Sequence, residues 1–274
     1  MLDEGYLDKV YYRFWKTNEP DNATANVFAI HGLGGHSFWF ENAGTLLNKN
    51  KINLFSFDLP GFGKSKFKLE EITSYNVWLN VTREVLENFL LTFQIKSPVF
   101  ILGHSMGALL AVLLNKTVKA NGWILSVPGF EGNDKTWPLN SFVLPVLFKA
   151  VFNPRENFAV PFGPELLTKN AEVQLKVKKD PLRVINLNAS IFRHVYFLAQ
   201  RTKRSANLLN GPVLMLMSGK DMICSNAATE RFFDEITVSD KSKKIYTNSF
   251  HDLFIEDELE EIVDDITKWI KRFS

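Results

Sequence analysis

A serine between two glycines is the strongest chemical feature of this chain, because residues 103–107 read Gly-His-Ser-Met-Gly. An apolar run at residues 99–102 precedes this motif, and a helical pattern begins at Met106. A nucleophile elbow needs such a strand–turn–helix setting, in which the tight backbone favours glycine on both sides of the serine. We therefore predict that Ser105 is a nucleophile at the end of a strand.

A serine hydroxyl is a weak nucleophile without a base, so a histidine and an orienting carboxylate are required. Of the five histidines, His251 lies where the end of the last predicted strand can present an imidazole to Ser105. Asp221 follows another apolar run and is predicted at the same edge of the sheet. The order Ser, Asp, His differs from both protease orders. Asp252 is the weaker choice of acid, because sequence neighbours rarely reach each other's outer imidazole nitrogen.

A glycine-rich loop, His-Gly-Leu-Gly-Gly at residues 31–35, directly follows the apolar run at residues 27–30. Its glycines, Gly32 among them, allow the backbone to approach a substrate closely. An oxyanion hole beside a nucleophile elbow takes one N–H from such a loop and one from the residue after the nucleophile. These two donors are predicted to be Leu33 and Met106. A phosphate cradle is excluded because the loop lacks the required glycine spacing.

Short apolar runs alternate with helical patterns, which predicts an α/β fold with a mostly parallel central sheet flanked by helices. The predicted strands lie at residues 27–30, 54–57, 99–102, 123–127, 213–217 and 244–246. The predicted helices lie at residues 74–93, 106–119, 226–236 and 256–273. Residues 6–15 are expected to form an antiparallel hairpin at the sheet edge.

The alternation stops at residues 128–210, where several prolines interrupt helical patterns. The sequence therefore predicts a core of residues 1–127 and 211–274 and a helical cap of residues 128–210. In open α/β sheets such an insertion lies where ligands bind. Residues 142–152 are apolar almost all round, and Phe142, Phe148 and Phe152 are predicted to contact an acyl chain. Ordinary core packing is the alternative for these phenylalanines.

The composition argues against several other classes of protein. Lys+Arg 32 against Asp+Glu 30 leaves a formal charge of +2, so no nucleic-acid partner is expected. The single cysteine, Cys224, excludes a disulfide framework and a cysteine-based zinc site, and neither metal nor cofactor is expected. The acidic N-terminus shows no signal peptide, and no apolar run approaches a membrane span, so a cytoplasmic location is expected. Oligomeric state is not predicted.

Six motifs together resemble the α/β-hydrolase fold and, within it, the monoacylglycerol lipase/lysophospholipase group. They are residues 31–37, 58–65, 103–107, 180–182 and 219–221, together with His251. The resemblance extends from about residue 24 to the C-terminus and includes the insertion, which matches the helical cap of that group. It implies that Ser105, Asp221 and His251 form a catalytic triad with Leu33 and Met106 as oxyanion donors.

Two departures from the group concern the leaving group of the substrate. Members of the mammalian type carry a Glu and an Arg after the His-Gly loop and a Tyr in the cap, which contact glycerol. The aligned positions hold Gly35, Trp39 and Val177. An apolar leaving-group pocket that includes Trp39 is therefore expected.

The sequence thus predicts a serine hydrolase of small, lipid-like carboxylic esters, with transient contact between the cap and a membrane surface. An aminopeptidase or a carbon–carbon bond hydrolase with the same triad remains open. A peptidase needs a carboxylate for the substrate ammonium, for which Glu165 and Glu172 are candidates. A non-catalytic receptor of hydrolase-like fold is a further alternative.

Overall fold

A computed structural model describes residues 1–18 and 23–274. Eight of its strands form one sheet in the order β1-β2-β4-β3-β5-β6-β9-β10, which is parallel except at β1–β2 and β2–β4. The eight strands are β1 Leu2–Leu7, β2 Val10–Trp15, β3 Ala25–Ile30, β4 Ile52–Phe57, β5 Val99–His104, β6 Gly122–Ser126, β9 Val213–Ser218 and β10 Lys241–Tyr246. The predicted parallel sheet and the opening hairpin are confirmed.

Helices cover both faces of this sheet, which explains why its central strands are apolar without alternation. The helices outside the insertion are α1 Glu41–Lys49, α2 Tyr75–Thr92, α3 Met106–Leu114, α8 Asn226–Glu235 and α9 Leu259–Ile270. One apolar layer contains α1 and α9, and the other contains α2, α3 and α8. The helix predicted at residues 106–119 is shorter than expected, because α3 ends at Leu114.

Phenylalanine accounts for 24 of the 274 residues, and several of these rings pack together on one side of the sheet. The rings of Phe28 and Phe55 stack with centroids 5.4 Å apart, and Phe89 lies 4.4 Å from Phe55. Phe14 packs edge-on against Phe89 at 5.2 Å. The packing of these rings therefore stabilises the core.

The segment between β6 and β9 carries four α-helices, a π-helical turn at Leu139–Val143, a 3-10 turn at Ala206–Leu208 and a two-stranded sheet. These elements are α4 Leu144–Phe152, β7 Asn157–Ala159, α5 Pro164–Leu167, α6 Ala171–Lys179, β8 Asn186–Asn188 and α7 Ala189–Lys203. Helix α4 packs on α7, which in turn packs on α3 behind the nucleophile motif. Across the two described stretches of chain, none of the helices combines the length and apolarity needed to cross a bilayer.

Candidate active site

The turn between β5 and α3 holds Ser105 in a backbone conformation that few non-glycine residues adopt, with φ 54° and ψ −114°. Its flanking glycines are required by the packing. A Cβ on Gly103 would lie 2.4 Å from the carbonyl oxygen of Gly107, and one on Gly107 would lie 2.1 Å from that of Ile30. Ser105 precedes α3 without capping it, so its hydroxyl is available for another partner.

That partner is His251, and the structure brings Ser105, His251 and Asp221 together in one hydrogen-bonded chain. Ser105 Oγ lies 3.0 Å from His251 Nε2, and His251 Nδ1 lies 2.8 Å from Asp221 Oδ2. The backbone N–H groups of Ile223 and Cys224 each donate to Asp221 Oδ1 at 2.8 Å. The carboxylate is thereby fixed, so His251 donates from Nδ1 and accepts the serine proton at Nε2.

The surroundings of His251 prepare it as a base. Burial alone would lower its pKa, but the charge and hydrogen bond of Asp221, with a smaller contribution from Asp252, outweigh burial and raise the pKa. The imidazolium that forms when His251 takes a proton is therefore stabilised in place. Burial lowers the pKa of the neighbouring His104 well below its usual value, so His104 stays neutral.

Asp252, the weaker choice of acid, lies behind His251 rather than on its outer nitrogen. Its Oδ1 accepts a hydrogen bond from the backbone N–H of Phe254, and its Oδ2 lies 3.6 Å from His104 Nε2. Burial raises the pKa of Asp252 to about 7. Asp221 therefore orients the imidazole, whereas Asp252 acts on it only through its charge.

The loop at residues 31–35 lies against the nucleophile. A Cβ on Gly32 would lie 3.1 Å from the Cβ of Ser105, and Leu33 and Met106 border the same cavity as Ser105. His31 fixes the loop, since its Nδ1–H donates to the Gly32 carbonyl at 2.8 Å and its Nε2 accepts from Leu59 N–H at 2.9 Å. Burial lowers the pKa of His31 to about 4, so this neutral tautomer persists at physiological pH.

A largely apolar cavity of about 490 Å³ opens beside Ser105, within the size range of small-molecule sites. Its walls include the loop after β3, helices α3, α4 and α7, and the loops that follow β6 and β9. Residues that line it include Leu33, Leu109, Phe142, Val146, Leu147, Phe192 and Ile223. Of the three phenylalanines predicted to contact an acyl chain, Phe142 is therefore placed at the cavity.

Phe148 and Phe152 lie outside the cavity lining, which corrects their prediction as substrate contacts. Helix α4 buries Val146 and Ala150 against α7, and residues two positions further along lie about 200° around the helix. Phe148 and Phe152 are accordingly 60% and 72% exposed, with their rings 4.6 Å apart. A helix that is apolar all round gives no sequence signal for which face is buried.

Trp39 also lies outside the cavity lining, contrary to its prediction as a substrate contact. Its indole N–H donates to Asp180 Oδ2 at 3.1 Å. Its ring packs against an apolar cluster that includes Val177, Leu167 and Cys224. The sequence could not predict this hydrogen bond, because Asp180 is 141 residues away and nothing near Trp39 in sequence indicates this partner.

Cys224 lies beside Asp221 and His251, where its thiol could bind a metal ion or compete as a nucleophile. The ligand atoms of Asp221, Cys224 and His251 lie within 4.8 Å of one another, so this group could hold a metal ion. Burial, reinforced by the charge of Asp221, raises the pKa of the Cys224 thiol well above its usual range. The thiol therefore keeps its proton, whereas a metal ligand or a competing nucleophile would need the thiolate.

Comparison with known proteins points to one family. The family model described as serine aminopeptidase, S33, matches residues 21–258. A monoacylglycerol lipase from Mycolicibacterium smegmatis is 26% identical over 273 residues, covering 96% of this chain and 92% of that protein. The monoacylglycerol lipase structure from Paleococcus ferrophilus gives a TM-score of 0.79 at 25% identity, covering 97% of this chain and 99% of that one.

A second solved structure is even more similar in fold. A soluble variant of monoglyceride lipase from Saccharomyces cerevisiae, in complex with a substrate analog, gives a TM-score of 0.87 at 22% identity. The match covers 100% of this chain and 96% of that one. The α/β-hydrolase fold expected from the sequence motifs is thereby confirmed.

The hydrogen-bonded chain of Ser105, His251 and Asp221 predicts that different substitutions lower turnover by very different factors. Ser105→Ala should lower turnover by about 10⁶-fold, and Asp221→Asn by about 10⁴-fold, because the wrong imidazole tautomer results. Asp252→Asn is the matched control and should cost far less. Ester hydrolysis by the three purified variants is the measurement. Equal losses for the two Asp→Asn variants would contradict the role assigned to Asp221.

The raised pKa of His251 predicts the pH dependence of kcat/KM. The base must be neutral, so kcat/KM should fall as the pH drops through that pKa, with a midpoint above the usual 6.5. Asp252→Asn removes a nearby carboxyl that is only partly ionised at this pH, because its own pKa is about 7, so the midpoint should move modestly to lower pH. A wild-type midpoint at or below 6.5, in a full profile with a soluble ester, would refute this.

Proposed function

The chain belongs to the serine aminopeptidase S33 family, and from this premise we propose that it is a serine hydrolase of carboxylic esters with small, lipid-like acyl groups. One observation carries the proposal: the Ser105–His251–Asp221 chain of hydrogen bonds opens onto an apolar cavity. The named relatives, which are monoacylglycerol lipases, support the same reaction class and make monoacylglycerols candidate substrates.

The proposed mechanism is acyl transfer through an acyl-enzyme. Ser105 Oγ attacks the ester carbonyl while His251 Nε2 takes its proton, and Asp221 stabilises the imidazolium that forms. The backbone N–H groups of Leu33 and Met106 bind the oxyanion. The Met106 donor lies in the first turn of α3, where backbone N–H groups have no partner within the helix. His251 then protonates the leaving alcohol and activates the water that releases the acid, so no cofactor is required.

An ester fits this site better than the N-terminal residue of a peptide, although the family description names an aminopeptidase. A substrate ammonium would need a carboxylate with free charge inside the cavity. Glu165 and Glu172, the sequence candidates, are not among the cavity residues. Glu131 and Asp134 border the cavity, but Glu131 pairs with Lys203 and Arg231 at 2.9 Å each, and Asp134 is exposed to solvent rather than enclosed with the substrate.

We assign the acyl chain to the cavity beside Phe142 and propose an apolar leaving-group side. Trp39 and Val177, which replace the polar glycerol contacts of the related group, both belong to the cluster around Leu167 and Cys224. Neither position offers a polar group to a glycerol hydroxyl, because Val177 is apolar and the Trp39 indole N–H is bound to Asp180. The leaving alcohol is therefore proposed to bind without polar contacts from these two positions.

We further propose that residues 128–210 form a cap on a core of residues 1–127 and 211–274, and that this cap contacts lipid surfaces. Large apolar side chains recur on one exposed face of α4 at steps of three and four residues, and they form what we call the cap patch. Its members are Leu144, Phe148, Val151 and Phe152. Exposed apolar residues gathered in one place are typical of interaction surfaces.

Substrate chain length tests the acyl assignment. Each added methylene enters an apolar wall, so kcat/KM should rise about two- to fourfold per carbon until the cavity is filled. Phe142→Ala should flatten this rise, while Phe148→Ala, the same change on the exposed face, should leave it intact. A panel of soluble esters from acetate to dodecanoate gives both slopes.

Two results would count against the proposal. A flat profile in the wild-type protein would remove the acyl cavity, and faster cleavage of aminoacyl amides than of any ester would favour the peptidase. Ser105→Ala, assayed beside the wild type, shows which hydrolysis belongs to this site. Labelling of Ser105 by a fluorophosphonate probe confirms its reactivity independently of the substrate.

Vesicle binding tests the cap patch. The double variant Phe148→Ala/Phe152→Ala should bind phosphatidylcholine vesicles more weakly in a sedimentation assay, because about 1.5–3 kcal/mol is lost per phenylalanine that no longer inserts. Its hydrolysis of a soluble short-chain ester should equal that of the wild type. Unchanged vesicle binding would show that the patch has another role.

A further inference from the structure

The Asp180-Pro-Leu motif of the inserted segment has no part in the chemistry described so far, yet its carboxylate reaches the loop beside the nucleophile. Asp180 Oδ2 accepts hydrogen bonds from His36 Nε2–H at 2.7 Å and from the Trp39 indole N–H at 3.1 Å. Asp180 Oδ1 accepts from the backbone N–H of Leu182 at 2.9 Å. One carboxylate thus joins two donors of the core that are more than 140 residues away in sequence.

A backbone contact next to this carboxylate joins the same two segments. Val184 N–H donates to the carbonyl of Gly34 at 3.0 Å. Gly34 has φ 78°, and a Cβ at this position would lie 2.7 Å from the carbonyl oxygen of Val184. Only glycine permits this approach without strain, so the inserted segment rests directly on the middle of the loop.

The ends of the loop at residues 31–37 are held by the core. His31 is fixed by Leu59, as described above. At the other end, the backbone N–H and the hydroxyl of Ser37 donate to Asp58 Oδ1 at 2.8 and 2.6 Å. Leu33, the assigned oxyanion donor, lies between these anchors, one residue before the contact of Gly34 with Val184.

The charges around Asp180 keep this contact intact over the working pH range. Partial burial favours the neutral acid, but the hydrogen bonds from His36 and Trp39 outweigh burial and hold the pKa of Asp180 at about 2. Arg183 is the neighbouring cation, and its guanidinium interacts with the charges of both Glu165 and Asp180. The carboxylate is therefore ionised wherever His251 can act as a base.

We propose that Asp180 is a positioning residue of the oxyanion hole. Through His36 and Trp39 it holds the loop so that the Leu33 N–H points at the place where the substrate oxyanion forms. This inference rests on the proposed function. It makes the inserted segment part of the catalytic geometry as well as a wall of the acyl cavity, because the oxyanion hole is complete only when the segment is seated on the loop.

Hydrolysis of a soluble propionate ester tests this role. Asp180→Ala should lower kcat about 10- to 100-fold, because an oxyanion donor displaced by a fraction of an ångström loses much of its effect. KM should change less than about threefold, since the ground-state carbonyl depends little on these donors. Trp39→Phe removes one of the two hydrogen bonds and keeps the ring, so its kcat should fall by about two- to tenfold.

A second readout separates positioning from general stability. The affinity for a trifluoromethyl ketone, whose adduct with Ser105 places an oxyanion in the hole, should fall in proportion to kcat. Asn188→Ala is the matched control, because Asn188 caps α7 in the same inserted segment, where its side chain accepts from the backbone N–H of Ile191. It should lower the melting temperature while leaving kcat within about twofold.

Every result of these experiments either supports or overturns the role proposed for Asp180. A folded Asp180→Ala with wild-type kcat would overturn the proposal, as would a loss of kcat in Asn188→Ala equal to that in Asp180→Ala. If Asp180→Ala does not fold, Trp39→Phe and Asp180→Asn carry the test, and wild-type kcat in both would overturn it. A wild-type protein that neither hydrolyses esters nor reacts with a fluorophosphonate would instead refute the proposed function itself.

Discussion

The strained backbone at Ser105 is the constraint on which the rest of the site depends. A non-glycine residue at φ 54° and ψ −114° costs about 1–3 kcal/mol, so the surrounding structure must impose it. Strand β5 is buried on both faces and every residue of α3 is buried, and Gly107 lets α3 approach the carbonyl end of β3. The strain turns the hydroxyl away from the helix N-terminus, which it would otherwise cap, and toward His251.

The parallel sheet then supplies the partners of that hydroxyl. Strands β5, β9 and β10 run in the same direction, so the loops that carry Ser105, Asp221 and His251 leave the sheet at one edge. Burial makes the charges there effective, because interactions between ionised groups strengthen as water is excluded. Asp221 can stabilise an imidazolium because two backbone N–H groups already hold it in place.

Features that depend on residues close together in sequence could be predicted, whereas features that depend on contacts between distant segments could not. The elbow, the parallel strands and the acid and base after strand ends follow from short motifs beside apolar runs, and the structure places those residues together. Phe148 was misplaced because α4 is apolar on every side, so only its packing on α7 shows which face is buried. Trp39 was misplaced because its hydrogen-bond partner, Asp180, comes from a segment far away in sequence.

Both misplaced residues are explained by the segment between β6 and β9, because Phe148 lies on its helix α4 and Trp39 donates a hydrogen bond to its Asp180. Helix α4 divides its apolar residues between a buried face with Val146 and an exposed face with Phe148, so the same short helix borders the cavity and carries the cap patch. Under the proposed function, an acyl chain that leaves a lipid surface at this patch would exchange one apolar contact for another, with little exposure to water between them. Because Asp180 joins the other end of the segment to the loop that carries Leu33, our two proposals make substrate entry and oxyanion binding depend on the position of the same segment of chain.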